Sequence, residues 1–237
     1  VRVEANYDEA TYELTKSYDM EGDTPVFRLK FRSTISFWRR IAQDGNFSDA
    51  DIAMNEITVF LPEETPIVLR AKMAKGEGEM LLDDLVLTEF VTEGRMGEYS
   101  FSMDTPNPVT MESSSITLAM GEGTFRGLSN LRARELEIQG SMGEIRLDFG
   151  STLLVDTAVL ARMKMGEMSI EVPDDALYDP ESRVKATMGE VNNGMKRGQR
   201  IADPELARRI SLDAAVLMGE IRLEPFRVRP GSRMYGQ

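Results

Sequence analysis

Hydrophobic and polar residues alternate along this chain in blocks that recur. Counting from each of several glycines, positions +2, +4 and +6 are apolar: Tyr99, Phe101 and Met103; Ile145, Leu147 and Phe149; Met168, Ile170 and Val172; Ile221 and Leu223. A period of two predicts a strand with one face buried after each glycine. Before the glycine, apolar residues fall at −7, −5 and −3, as in Leu212, Ala214 and Val216. Odd offsets before and even offsets after do not belong to one regular strand. A bulge or corner must absorb an extra residue, and glycine tolerates the dihedrals this requires.

The glycine is the centre of a tripeptide, Met-Gly-Glu, that occurs six times, with Met at 96, 120, 142, 165, 188 and 218. The spacings are 24, 22, 23, 23 and 30, and Glu77-Gly78-Glu79 reads as a degenerate earlier copy. Parity assigns Met to the inward set and Glu to the outward set. A repeat of this length, holding two short strands, predicts rungs stacked about 4.8 Å apart. The expected fold is therefore all-β: a two-layer β-solenoid of about seven or eight short rungs. Residues 1–61 fall outside the period. Thr11–Leu14, Val26–Phe31 and Glu56–Leu61 read there as antiparallel strands of an irregular N-terminal cap. The expected division is a cap at 1–61, the solenoid at 62–226 and a basic tail at 227–237. Within the long insertion, Asp203-Pro204 is a helix-start signal.

Composition narrows the chemistry. The 237 residues include no cysteine and no histidine, which excludes disulfides, thiolate nucleophiles, imidazole bases and His/Cys zinc sites. With 28 Lys+Arg against 40 Asp+Glu, the net charge of −12 disfavours nucleic acid and anionic lipid as partners. No apolar stretch approaches the roughly 20 residues of a membrane-spanning helix. The start at Val1 reads as a chain whose signal segment has been removed, which predicts an extracytoplasmic location.

Four features are candidate sites. The 16 methionines include a column that thioether chemistry would allow to bind copper(I) or heme. Inward parity and the lack of a His or Cys co-ligand favour packing beside each bend instead, so no cofactor or metal is expected. The outward column Glu79, Glu98, Glu122, Glu144, Glu167, Glu190 and Glu220 places carboxylates that repel by about 1 kcal/mol per pair in water. Solvent with the neighbours Arg146, Arg222, Lys164 and Arg95, a partner protein, or Ca²⁺ are the means of screening them; one column does not supply the six to eight oxygens of a calcium cage. Phe37, Trp38, Arg39 and Arg40 combine large apolar side chains with paired Arg, as interface hot spots do. The same segment suits an end cap or a membrane interface, and Arg227, Arg229 and Arg233 in the tail offer a second anchor. The acidic pairs Asp83/Asp84 and Asp174/Asp175 could act as acid and base on a sugar. They sit where Asp is favoured by turn hydrogen bonds, so no enzymatic activity is expected.

Leu82-Asp83-Asp84-Leu85 leading to Arg95-Met96-Gly97-Glu98 resembles the toast-rack domains of bacterial envelope proteins. So do the run from Met165 to Asp175 and the closing stretch from Met218 to Glu224. Those domains are related to the C-terminal part of cell-wall-active-antibiotic response proteins and to adhesin-like proteins. This chain departs from them in having Met where they usually have a small residue or Val before the glycine. The resemblance implies a β-solenoid fold and carries no catalytic residue over. Taken with the repeat, it implies a non-catalytic envelope module with a rigid surface for protein–protein contact, such as an accessory subunit docked on a larger membrane complex. The alternative reading is a carbohydrate-binding or adhesin module, for which only the neighbourhood of Trp38 supplies a stacking platform.

Overall fold

The computed structural model describes residues 1–34, 55–196 and 207–226. The chain divides into two compact units, Val1–Pro62 and Glu63–Gln237. The first holds two antiparallel pairs: β1 (Arg2–Asn6) with β4 (Glu56–Phe60), and β2 (Tyr12–Glu21) with β3 (Thr24–Ser33). Between β2 and β3 the hairpin turns at Gly22, φ 64°. Phe31 is clasped by Tyr12, stacked at 5.0 Å, and by Tyr7, edge-on at 5.4 Å.

The second unit corrects the expected fold. It is not a two-layer solenoid of short rungs but one nine-stranded sheet, parallel throughout. Its long strands are β7 (Val86–Ser102), β8 (Met111–Arg126), β9 (Ala133–Asp148), β10 (Thr157–Val172) and β13 (Arg209–Pro225). Each runs through its Gly without ending. The edges are built from shorter strands. β5 (Pro66–Met73) and β6 (Gly76–Leu81) both lie on β7, and β11 (Leu177–Tyr178) and β12 (Arg183–Asn193) both lie on β13.

Two short strands per unit were expected because a change of parity should interrupt the ladder. The interruption is smaller than that. At the bend, pairing skips one position in each strand, two residues before the glycine: Arg95, Ala119, Ser141, Lys164, Thr187 and Leu217. Every strand omits the same position, so the register survives the bend, and Met lies on Met, Gly on Gly and Glu on Glu from β7 to β13. Seven glycines form the bend, Gly76 and those of the six tripeptides, with φ between 112° and 153°, which side chains with a Cβ rarely adopt. A Cβ on Gly143 would also land on the backbone carbonyl oxygen of Gly121 in the strand below.

The core fills the inner side of this bend, where the two arms of each strand face one another. In β7 the Phe90 ring from one arm meets Phe101 from the other, edge-on at 5.3 Å, and Phe101 stacks on Phe125 of β8 at 5.0 Å. Close to the bend the arms meet through positions −3 and +2, and their sizes are matched. Gly94 lies against Tyr99, Leu118 against Gly123, and Gly140 against Ile145, a large residue opposite none. The remaining long strands use Met163 with Met168 and Val216 with Ile221, all buried. Filling an interior at native density accounts for this alternation.

Strand order departs from chain order at one place. β13, last in sequence, lies between β10 and β12. Burial explains the choice of slot. Ile210, Leu212, Ala214, Val216, Ile221 and Leu223 of β13 are at most 1 % exposed. β12 offers Val184, Ala186 and Val191 on its corresponding face and carries Lys185, Asn192 and Asn193, a composition suited to an edge. The expected helical start at Asp203-Pro204 lies outside the described residues, and Arg209 and Ile210 already belong to β13.

Candidate functional site

The most regular surface is the outer side of the bend, where two columns flank the glycines. The methionine column is exposed, contrary to the inward assignment from parity. Met96, Met120, Met142, Met165, Met188 and Met218 keep between 40 % and 54 % of their surface. The corner occupies four residues, from −2 to +1, and none of them faces the core. Parity carried inward from −3 therefore fails one residue before the glycine. In space the column runs 96, 120, 142, 165, 218, 188, following the pairing of the strands.

The acidic column needs a correction of frame. Glu98 pairs with Glu77, not Glu79, because β6 meets β7 as Gly76 on Gly97; Glu79 lies beside Ser100. The first copy of the motif is thus Lys75-Gly76-Glu77. The column reads Glu77, Glu98, Glu122, Glu144, Glu167, Glu220, Glu190. Its charge is screened unevenly. Arg146 pairs with Glu144 at 2.5 Å, and Arg222 bridges Glu167 and Glu220, both at 2.7 Å. These carboxylates hold the Arg222 guanidinium above its ordinary range, its hydrogen bond to Glu220 contributing most. Among the described residues, Glu77, Glu98, Glu122 and Glu190 have no ion pair. Lys164 and Arg95, the other expected screening groups, form no ion pair with the column there.

The paired aspartates serve the turns. Asp83 Oδ1 accepts from the backbone N–H groups of Asp104 and Thr105, both at 2.7 Å, and from the Thr105 hydroxyl. Asp84 has φ 62°, and Asp175 accepts the Leu153 N–H at 3.1 Å. A buried asparagine does similar work one layer deeper. Asn107 accepts the Leu87 N–H and donates to the carbonyls of Leu87 and Leu131, tying the start of β7 to the two connections that follow it. Sequence pattern gave no sign of Asn107, since nothing recurs at its position.

Phe37, Trp38, Arg39 and Arg40 and the tail residues Arg227, Arg229 and Arg233 lie outside the described residues. Beside β12, a cavity of about 670 Å³ is lined by Tyr178, Ser182, Val184, Val191, Asn193 and Met195. Burial raises the Tyr178 hydroxyl above its ordinary range, and a hydrogen bond with Ser182 partly opposes this. Among the described residues no cluster of three or more Asp or Glu side chains is arranged to hold a metal ion. Nor is any helix among them long and apolar enough to cross a membrane. No protein-family model, curated protein or solved structure matches the chain.

Proposed function

We propose that the protein is a non-catalytic contact module of the bacterial envelope, an accessory subunit that holds the outer side of its bent sheet against a protein partner. The observation carrying this is internal. Across the six tripeptides, position −2 drifts through Arg, Ala, Ser, Lys, Thr and Leu, and +2 through Tyr, Gly, Ile, Met, Val and Ile, while Met, Gly and Glu recur; the first copy, Lys75-Gly76-Glu77, keeps Gly and Glu and has Lys in place of Met. Backbone crowding accounts for Gly. Neither crowding nor core packing accounts for an exposed Met or for Glu98 and Glu122, stacked in register with no ion pair among the described residues. A stiff row of carboxylates edged by thioethers suits a basic partner with an apolar seam, since complementary charge steers encounter and adaptable methionines fit varied contours. The envelope placement rests on the likeness of the tripeptide stretches to toast-rack sequences and draws no support from the fold, which is not the short-rung solenoid that likeness implies.

The test is affinity capture from native membranes with the intact protein and with E98Q/E122Q. A specific companion retained by the first, and lost or reduced at least tenfold with the second, supports the reading. Equal retention by both removes the acidic column from it, and no companion at all overturns it.

A further inference from the structure

The exposed methionine column has a second use that partner contact does not require. Six thioethers stand in register on neighbouring strands, about 4.8 Å apart along the backbone ladder, all on the outer side of one bend. A partner's apolar seam can use adaptable methionines but does not require them. Val, Ile or Thr fit an exposed strand better, and the drifting neighbours at −2 show that this stretch of backbone accepts many side chains. What methionine alone supplies among apolar side chains is a soft sulfur donor on a flexible arm. We propose that the column binds a soft monovalent cation, Cu(I) or Ag(I), between thioethers of adjacent strands.

The geometry suits such an ion in three respects. A rigid ladder brings donors from separate strands to one place before the ion arrives, so binding orders only side chains. Three flexible bonds per methionine let neighbouring sulfurs converge on a shared centre. Glu98 and Glu122, which have no ion pair among the described residues, lie one glycine away from Met96 and Met120 and make the local potential favourable for a cation. Hard cations prefer oxygen cages, and no acidic cluster of that kind is found among the described residues, so thioethers set the selectivity. At three sulfurs per ion, the six methionines offer room for about two ions. This inference does not depend on the proposed partner.

The experiment uses the full chain labelled with ¹³C at the methionine methyls and titrated with Ag(I) in chloride-free buffer, a redox-stable stand-in for Cu(I). Expected are shifts of the ladder methyls at the first equivalents, saturating near two. Met20, a lone methionine with 62 % of its surface exposed, and the buried Met163 and Met168 should stay unmoved in that range. M142L/M165L/M218L keeps apolar volume on the middle three strands, leaves only Met96 beside Met120, and should lower affinity at least tenfold. Ca²⁺ should move none of these resonances. Three outcomes overturn the proposal: ladder methyls that do not respond, a Met20 that responds as readily, or Leu variants that bind as the parent does. A partner captured equally by parent and Leu variant, alongside loss of Ag(I) binding, separates the metal site from the contact surface.

Discussion

The matching of large and small residues across the bend makes a quantitative prediction at Gly140 and Ile145. A methyl added at Gly140 would lie 2.7 Å from Ile145 Cδ1 and 3.3 Å from Met163 Cγ, inside normal contact with both. Overpacking of this kind costs about 1–3 kcal/mol. The gain from stiffening the unfolded chain, about 0.4–1 kcal/mol, offsets part of it, because Gly140 has no positive φ to violate. G140A should therefore destabilise by about 1–2 kcal/mol. I145V removes the one atom in the closest contact and should cost about 0.5–1.5 kcal/mol alone. In G140A/I145V the new methyl occupies the space that Cδ1 left, so the double variant should be more stable than the sum of the singles by about 1 kcal/mol or more. Urea denaturation of the four proteins, with slopes compared to confirm a common unfolding transition, measures the coupling. Strict additivity would refute the claim that −3 and +2 share one volume across the bend.

Other outcomes follow from the same geometry. G143A places its Cβ on the Gly121 carbonyl and demands a φ near 127°, so it should lose more than about 4 kcal/mol or fail to accumulate as folded protein, read by circular dichroism. E98Q/E122Q removes repulsion between stacked carboxylates and should raise stability by about 1 kcal/mol at low ionic strength, a gain that disappears in high salt when both proteins are melted under each condition. Arg162, at 2.6 Å from Asp213, holds that carboxyl below its ordinary range, chiefly by hydrogen bonding. The folded state thus binds this proton more weakly than the unfolded state, so the pair stabilises above the ordinary aspartate range and the benefit is lost as pH falls through the lowered value. R162Q should be less stable than the parent at neutral pH, by under about 1 kcal/mol because the carboxylate is half exposed and solvent screens it, and the gap should close in acid.

Much of the strand pattern was legible in the sequence, because a buried face forces period two: Phe101, Ile145, Leu147, Ile170 and Leu223 are all within 2 % of full burial. The fold class was not. An apolar pattern reports which side a residue faces, but not whether backbone pairing carries through a corner, and that decides between short rungs and one continuous sheet. The Met column was misplaced for a related reason, since parity counts residues and the corner takes up four of them. The sequence alone points to Glu79 rather than Glu77, because Gly78 also stands between two glutamates. Only the strand pairing reveals that Gly78 belongs to the inner side, where a Cβ would run into Met73 and Tyr99. The candidate site was therefore half visible: its residue types recur in plain sight, whereas their exposure and common register are properties of the sheet.

The placement of β13 bears on how the chain finds its structure. β12 is synthesised first and carries the same Met-Gly-Glu as β13, so nothing in the ladder register prevents β12 from pairing directly on β10. In that arrangement β13 would add outside β12, giving a topological isomer with every tripeptide aligned. What distinguishes the two is which strand is sandwiched: the isomer strands Ile210, Leu212 and Leu223 at an edge and encloses the more polar β12. Repeats this alike give local pairing little power to choose an order, so the choice falls to burial, which is complete only when the last strand arrives. Slow refolding steps that disappear when β12 is made unable to pair, but persist when earlier strands are altered, would be the signature of that competition.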